Sequence, residues 1–60
     1  MSARRTCAYC HASRGDDARA LVAVARRAGV ELLRGATHLH AMCRTLVQQA
    51  MRAREAVRHA

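Results

Sequence analysis

Sixty residues with a net charge of +7 can form one small domain, and the composition excludes a core built from large side chains. Hydrophobic residues make up 52% of the chain, but alanine dominates them, and Phe, Trp and Ile are absent. A chain this short is marginal on apolar burial alone, so a metal, a cross-link or a partner has to supplement the core.

The cellular compartment decides whether disulfides can stabilise this small core. The first residues lack the apolar region of a secretory signal, and no apolar run approaches the roughly 20 residues of a membrane span. We therefore expect a cytoplasmic protein, in a reducing environment where disulfides are rare. Three cysteines are an odd number, which suits metal ligation better than a disulfide framework.

Residues 1–6 are predicted to be a basic flexible tail, and residues 7–60 a single domain. Its first part, residues 7–15, contains two cysteines separated by two residues and is expected to form a tight irregular loop, or zinc knuckle. Gly15 closes this loop and can supply a positive φ before the next element.

A short first helix is predicted over about residues 16–28. Asp16 and Asp17 suit its N-cap and first turn, where carboxylates favour the positive end of the helix dipole. Gly29 is expected to end it. Its apolar face has helical spacing and consists of Ala18, Leu21, Val22 and Ala25.

A longer second helix is predicted over about residues 38–58, with Thr37 as its N-cap. The preceding residues 30–33 are compatible with an extended segment or a further helical turn, and the extended segment is favoured. The predicted apolar stripe of the second helix is Leu39, Cys43, Leu46, Ala50, Ala53 and Val57. The expected fold is therefore a small, zinc-stapled, mainly α domain with a knuckle, a short helix and a long C-terminal helix.

Four residues have the spacing of a structural zinc site: Cys7 and Cys10 in the knuckle, and His40 and Cys43 at the start of the second helix. Zinc takes four tetrahedral N and S ligands at such sites. Residues three apart on a helix share a face, and the helix N-terminus favours thiolate. One structural Zn2+ per chain is therefore predicted.

His38 is an alternative to His40 as the fourth ligand. It lies five residues before Cys43, about 140° round a helix, so it faces elsewhere if the helix begins at Thr37. If the helix begins later, His38 becomes available as the fourth metal ligand. Helix geometry favours His40, and both remain open at this point.

Haem is an alternative cofactor, because Cys7-Ala8-Tyr9-Cys10-His11 matches the C-x-x-C-H signature of covalent haem attachment. Met42, Met51 or a histidine would then be the axial ligand. The lack of aromatic residues to line a haem pocket and the absence of an export signal weigh against this hypothesis.

The knuckle sequence Cys7-Ala8-Tyr9-Cys10-His11-Ala12-Ser13, followed by Ala18-Arg19-Ala20-Leu21-Val22-Ala23, resembles the N-terminal zinc-binding domain of the ClpX unfoldase. That family has Cys-Ser-Phe-Cys-Gly-Lys-Ser and then Arg-Lys-Leu-Ile-Ala. His40-Ala41-Met42-Cys43 stands where the family has a second Cys-x-x-Cys, so His40 replaces a cysteine, and His11 replaces a glycine. The resemblance covers about residues 6–49 and implies a treble-clef-like zinc fold that binds proteins.

Two functions are compatible with this reading, and neither is enzymatic, because a closed four-ligand site has no open position and no nucleophile–base pair is visible. The first function is binding of nucleic acid, or of a nucleoprotein complex, by a regulatory or accessory protein. Its candidate contacts are exposed-face arginines: Arg4, Arg5, Arg26, Arg27, Arg44, Arg52 and Arg58.

The second function is protein interaction, as a homodimer or by docking onto a larger partner. A short first helix cannot cover the whole second helix, which leaves Ala50, Ala53 and Val57, with Met51 nearby, as an uncovered stripe.

Overall fold

A computed structural model describes residues 5–59 of the chain, with side chains described up to residue 57. Two short strands and two helices alternate along it. They are β1 (Asp16–Asp17), α1 (Arg19–Arg27), β2 (His38–Leu39) and α2 (Ala41–His59). The strands pair antiparallel, with Asp16 opposite Leu39 and Asp17 opposite His38. Helix α1 packs against α2, and β2 lies beside the start of α2.

Helix α1 begins later than its sequence predicts. Asp16 and Asp17 form β1 instead of the helix cap, because their backbone pairs with β2. Ala18 precedes the helix without a side-chain cap, and its N–H donates to the Thr37 carbonyl at 2.8 Å. Asp17 still serves the helix start, since its Oδ1 accepts from the Arg19 N–H at 3.2 Å.

The end of α1 confirms the prediction for Gly29, which has a φ of +95°. The Gly29 N–H donates to the Arg26 carbonyl and the Val30 N–H to the Ala25 carbonyl, both at 3.0 Å. This pair of bonds is a Schellman motif, which satisfies two carbonyls of the last turn. It also turns Val30 back into the core, where it is buried.

Residues 30–37 form an irregular connecting loop, so the expected extended segment at 30–33 is not a strand. Hydrogen bonds to the knuckle and to α1 hold this loop in place. The Leu33 N–H donates to the Ala8 carbonyl at 2.8 Å, which joins the loop to the knuckle. The Arg26 guanidinium donates to the carbonyls of Leu33 at 2.6 Å and Ala36 at 3.2 Å.

Helix α2 starts at Ala41, three residues later than expected, and Thr37 is not its cap. Residues 38 and 39 are committed to β2, whose pairing with β1 requires extended backbone. The His40 carbonyl accepts the Arg44 N–H at 2.8 Å, so His40 stands directly before the first turn. Within residues 5–59, neither helix combines the length and hydropathy needed to cross a bilayer.

The core lies between α1, the knuckle and one face of α2. Its largest fully buried side chains are Val22, Leu39, Val47 and Cys7. The predicted stripe of α2 is correct at Leu39, Cys43 and Ala50, which are buried or packed against the core. It is wrong at Leu46 and Val57, which are 39% and 77% exposed, and Val47 is buried instead of Leu46. Cys43, in the first turn of α2, lies beside the two knuckle cysteines.

Candidate metal centre

Four side chains from two distant parts of the chain meet at the start of α2. They are Cys7 and Cys10 from the knuckle, His40 just before α2, and Cys43 in its first turn. One ligand atom from each lies within 4.8 Å of all the others. Cys7 and Cys43 are buried, His40 is half-buried and Cys10 is exposed, so the cluster sits at the edge of the core.

The distances in the cluster fit a tetrahedral ion. Zinc bonds of about 2.3 Å to sulfur and about 2.0 Å to nitrogen place neighbouring S and N ligands roughly 3.6 Å apart. The His40 Nδ1 lies 3.4 Å from the Cys10 Sγ and 3.9 Å from the Cys43 Sγ. One metal ion therefore fits between the four side chains with small adjustments.

The knuckle is folded around the Cys7 sulfur. The backbone N–H groups of Tyr9 and Cys10 both lie 3.4 Å from the Cys7 Sγ and donate to it. The loop is closed by the Cys7 N–H, which donates to the Ala12 carbonyl at 2.8 Å, and by His11, whose φ is +70°. Histidine is among the residues more often found in this left-handed conformation. The two N–H groups oriented toward the Cys7 sulfur stabilise its thiolate form.

His40 has the hydrogen bond expected of a metal-binding histidine. Its Nε2 lies 2.8 Å from the Ser13 carbonyl oxygen. A carbonyl can only accept, so Nε2 carries the ring proton and Nδ1 presents its lone pair to the three sulfurs. A backbone carbonyl on the second ring nitrogen is the usual way to fix the tautomer of a histidine ligand.

The electrostatics of the cluster favour a cation. Burial raises the pKa of the Cys7 thiol, but hydrogen bonds from the backbone of Cys10, His40 and Tyr9 outweigh it and lower the pKa to about 6. Burial, together with the neighbouring sulfurs, raises the pKa of Cys43 to about 11. The bond to the Ser13 carbonyl, and then the Cys10 sulfur, raise the pKa of His40. One thiolate forms readily, and a second is opposed by the first unless a positive ion lies between them.

Gly15 holds the knuckle against β2 by close contact. A Cβ on Gly15 would lie 3.1 Å from the His38 Cβ and from the Leu39 backbone nitrogen. The Gly15 N–H also donates to the Arg5 carbonyl at 2.8 Å. The predicted positive φ at Gly15 is wrong, since Arg14 takes that conformation, with a φ of +70°. Glycine is needed here for space, a requirement that only the approach of β2 creates.

His38 lies beside the centre but is not part of the cluster. Its backbone forms an isolated parallel bridge with Cys7, and its carbonyl accepts the Ala8 N–H at 2.8 Å. Its ring nitrogen Nδ1 is 3.4 Å from the Thr37 hydroxyl. His38 lies in β2, two residues before His40, and is not among the four residues whose ligand atoms cluster.

The residues of the haem interpretation are dispersed. Met42 is 75% exposed on α2, and Met51 is half-buried in a groove between the helices with Val24 and Ala28. His11 is exposed beside Glu31 in the connecting loop.

The arginines predicted to contact nucleic acid are spread over the surface. All nine arginines from Arg5 to Arg54 are exposed. Arg26 is engaged with the connecting loop, and Arg44 lines a shallow depression with Arg19 between the starts of the two helices. Arg4 and the side chain of Arg58 lie outside the described residues.

No known protein family, curated protein or solved structure matches this chain. The centre is therefore defined by its own geometry. Sequence spacing identified the four clustered residues, but it missed the Ser13 carbonyl. A backbone acceptor has no residue-type signal, so only the folded chain reveals it.

Proposed function

We propose that this chain is a small, non-enzymatic binding module whose fold is held by one structural Zn2+. Cys7, Cys10, His40 and Cys43 would hold the ion, with His40 binding through Nδ1. The observation that carries this proposal is the orientation of the His40 ring, with Nε2 at 2.8 Å from the Ser13 carbonyl and Nδ1 among three sulfurs. Thiolate and imidazole together are the preferred donors of zinc.

A bound zinc would join the knuckle to the start of α2 across some 30 residues of chain. All four ligands come from the protein, which leaves no open position for a reacting water. The ion would therefore supply stability, and catalysis is not expected. A knuckle, an antiparallel strand pair and a helix whose first turn carries Cys43 also support a treble-clef-like fold of the kind implied by the ClpX resemblance.

The partner that best suits the surface is the phosphate backbone of nucleic acid. The chain carries 11 arginines against four acidic residues, and its exposed arginines are not confined to one face. Tyr9 is the single aromatic residue and is 42% exposed, so base stacking would be minor. Binding through phosphate contacts is expected to be weakly sequence-selective and strongly salt-dependent.

The zinc proposal is tested by native mass spectrometry of the purified chain with measurement of metal content. One zinc per chain, retained by the folded protein and removed by a strong chelator, is the expected result. A folded chain that contains no metal would overturn it.

The nucleic-acid proposal is tested separately on the zinc-loaded chain. Duplex and single-stranded oligonucleotides are titrated at low and physiological salt, with Arg44→Gln and Arg52→Gln as test variants. Arg27→Gln then shows whether α1 contributes to nucleic-acid binding. Micromolar binding that weakens steeply with salt supports the proposal, and no binding at low salt refutes it.

A further inference from the structure

The three sulfurs of the proposed zinc centre differ in their access to solvent. Cys10 is exposed, whereas Cys7 is fully buried and Cys43 is 8% exposed. The Cys7 Sγ is also shielded by two backbone N–H donors at 3.4 Å, from Tyr9 and Cys10. Among the described residues, the Cys10 Sγ has the His40 Nδ1 beside it at 3.4 Å and receives no backbone hydrogen bond. A small oxidant therefore reaches the Cys10 sulfur first.

The other two sulfurs lie close enough to Cys10 to react with it. All ligand atoms of the cluster are within 4.8 Å of one another. Around a tetrahedral zinc, two sulfurs that each lie about 2.3 Å from the ion are about 3.8 Å apart. An oxidised Cys10 sulfur would therefore form next to a second thiolate, which is the arrangement that converts a sulfenic acid into a disulfide.

Cys7 is better placed than Cys43 to be that second thiolate. Cys7 and Cys10 belong to one loop, which is closed by its own hydrogen bonds. The Cys7 N–H donates to the Ala12 carbonyl at 2.8 Å, and the His11 N–H donates to the Cys7 carbonyl at 3.0 Å. This loop keeps its two sulfurs together independently of α2. Cys43 lies on α2, in a distant part of the chain, and depends on the ion to stay beside Cys10.

We propose that the zinc centre is a switch sensitive to hydrogen peroxide, in which Cys10 is the sulfur oxidised first and Cys7 completes a disulfide. The proposal rests on the zinc binding proposed above and adds a means of regulating it. The Cys10 thiolate attacks one peroxide oxygen, which breaks the O–O bond and gives a sulfenic acid and hydroxide. The Cys7 thiolate then displaces hydroxide from that sulfur and forms the disulfide. The two sulfurs lose two electrons, the peroxide gains them, and Zn2+ keeps its oxidation state.

Disulfide formation would remove two of the four ligands and release the ion, because His40 and Cys43 alone make an incomplete zinc site. The knuckle would then be held by backbone hydrogen bonds such as those from Ala8 N–H to the His38 carbonyl and from Leu33 N–H to the Ala8 carbonyl, both at 2.8 Å. A core with so few large buried side chains is not expected to keep the knuckle against α2 without the metal. The module would therefore be folded only in its reduced, zinc-loaded state.

The test treats the zinc-loaded chain with a small excess of hydrogen peroxide in the presence of a zinc indicator, after the starting zinc content has been measured. Free thiols are then blocked and the chain is digested. Trypsin places Cys7 and Cys10 on one peptide, residues 6–14, and Cys43 on another, residues 35–44. Mass spectrometry therefore distinguishes an internal disulfide in the first peptide from a cross-link between the two peptides. Circular dichroism, recorded before and after addition of dithiothreitol and zinc, follows loss and recovery of the helices.

Three variants separate the roles of the sulfurs. Cys10→His and Cys43→His make the same change at the exposed and at the buried sulfur, and each supplies a nitrogen donor in place of sulfur. Met42→Leu removes an exposed, oxidisable thioether next to Cys43 and alters no proposed ligand. Zinc release from each variant is scored against its own starting zinc content. If a histidine variant takes up no zinc, the tryptic peptides of the original chain and of Met42→Leu decide the question.

Peroxide is expected to release zinc in step with an internal disulfide in the peptide of residues 6–14, and helical content should fall and then recover on reduction. Cys10→His should release zinc at least about tenfold more slowly, whereas Cys43→His and Met42→Leu should stay within about threefold of the original chain. A cross-link between the two peptides in place of the internal disulfide would overturn the role of Cys7. Zinc that stays bound under peroxide would overturn the switch and leave the zinc proposal intact. A folded chain without zinc before peroxide is added would overturn both.

Discussion

The substitutions His40→Ala and His38→Ala make the same chemical change at two histidines that are two positions apart. Comparing them distinguishes the proposed metal ligand from its neighbour. His40 Nδ1 lies 3.4 and 3.9 Å from two cysteine sulfurs. His38 is half-buried in β2 and its ring is 3.4 Å from the Thr37 hydroxyl. We expect His40→Ala to lose high-affinity zinc and His38→Ala to retain it.

The magnitude follows from the number of ligands. Structural zinc in small peptides binds with about 10–16 kcal/mol for four ligands, so one ligand corresponds to about 3 kcal/mol, or roughly a 100-fold loss of affinity. The described core has few large buried side chains, among them Val22, Leu39 and Val47, each stabilising the fold by about 1.5–3 kcal/mol. The zinc contribution of about 10–16 kcal/mol exceeds the roughly 4.5–9 kcal/mol of these three side chains together, so His40→Ala should also lower helical content.

The assay is a competition titration against a zinc-binding indicator at neutral pH, with circular dichroism recorded on each sample. His40→Cys supplies a fourth sulfur and is expected to restore binding to within about tenfold of the original chain. If His40→Ala binds zinc as tightly as the original chain, or if His38→Ala loses it, the proposed ligand set is incorrect.

Three further predictions concern the frame around the centre. Gly15→Ala would bring a Cβ to 3.1 Å from two atoms of β2 and should lower the free energy of unfolding by about 1–3 kcal/mol in a thermal melt. Gly35→Asn places its side chain in open space at a φ of +82° and should lower the free energy of unfolding by less than about 1 kcal/mol. Arg26→Ala removes two hydrogen bonds to carbonyls of the connecting loop and should cost about 1–2 kcal/mol in urea denaturation, while the exposed Arg27→Ala should change stability by less than about 0.5 kcal/mol. Zinc affinity should fall as the pH falls, by at least about tenfold per unit at neutral pH, because the pKa of Cys43 is about 11 and zinc has to displace its proton; a pH-independent affinity would exclude Cys43 as a ligand.

The local features of the chain were largely predictable from residue type and spacing. The positive φ of Gly29 and the Schellman bonds around it follow from glycine at a helix end. The cysteine and histidine spacing likewise identified the four residues that cluster. These features depend on neighbours within a few positions, which a sequence displays directly.

The incorrect predictions share one physical cause, which is pairing between distant residues. Asp16 and Thr37 both have good helix-capping side chains, yet each lies beside or within the β1–β2 pair, and backbone pairing overrides their capping preference. The predicted stripe of α2 failed at Leu46, which is 39% exposed while its neighbour Val47 is buried. Periodicity alone cannot distinguish Leu46 from Val47 as the buried residue.

The sequence by itself indicated that this chain needs a supplement to its core, that two helices follow a knuckle, and that the candidate metal ligands are sulfur and imidazole. Tertiary structure decided between His40 and His38, because the His40 Nδ1 lies among the cysteine sulfurs and the Ser13 carbonyl orients its ring. It also decided which face of α2 stays exposed. Composition and spacing are local properties, whereas the centre arises where segments some 30 residues apart come into contact.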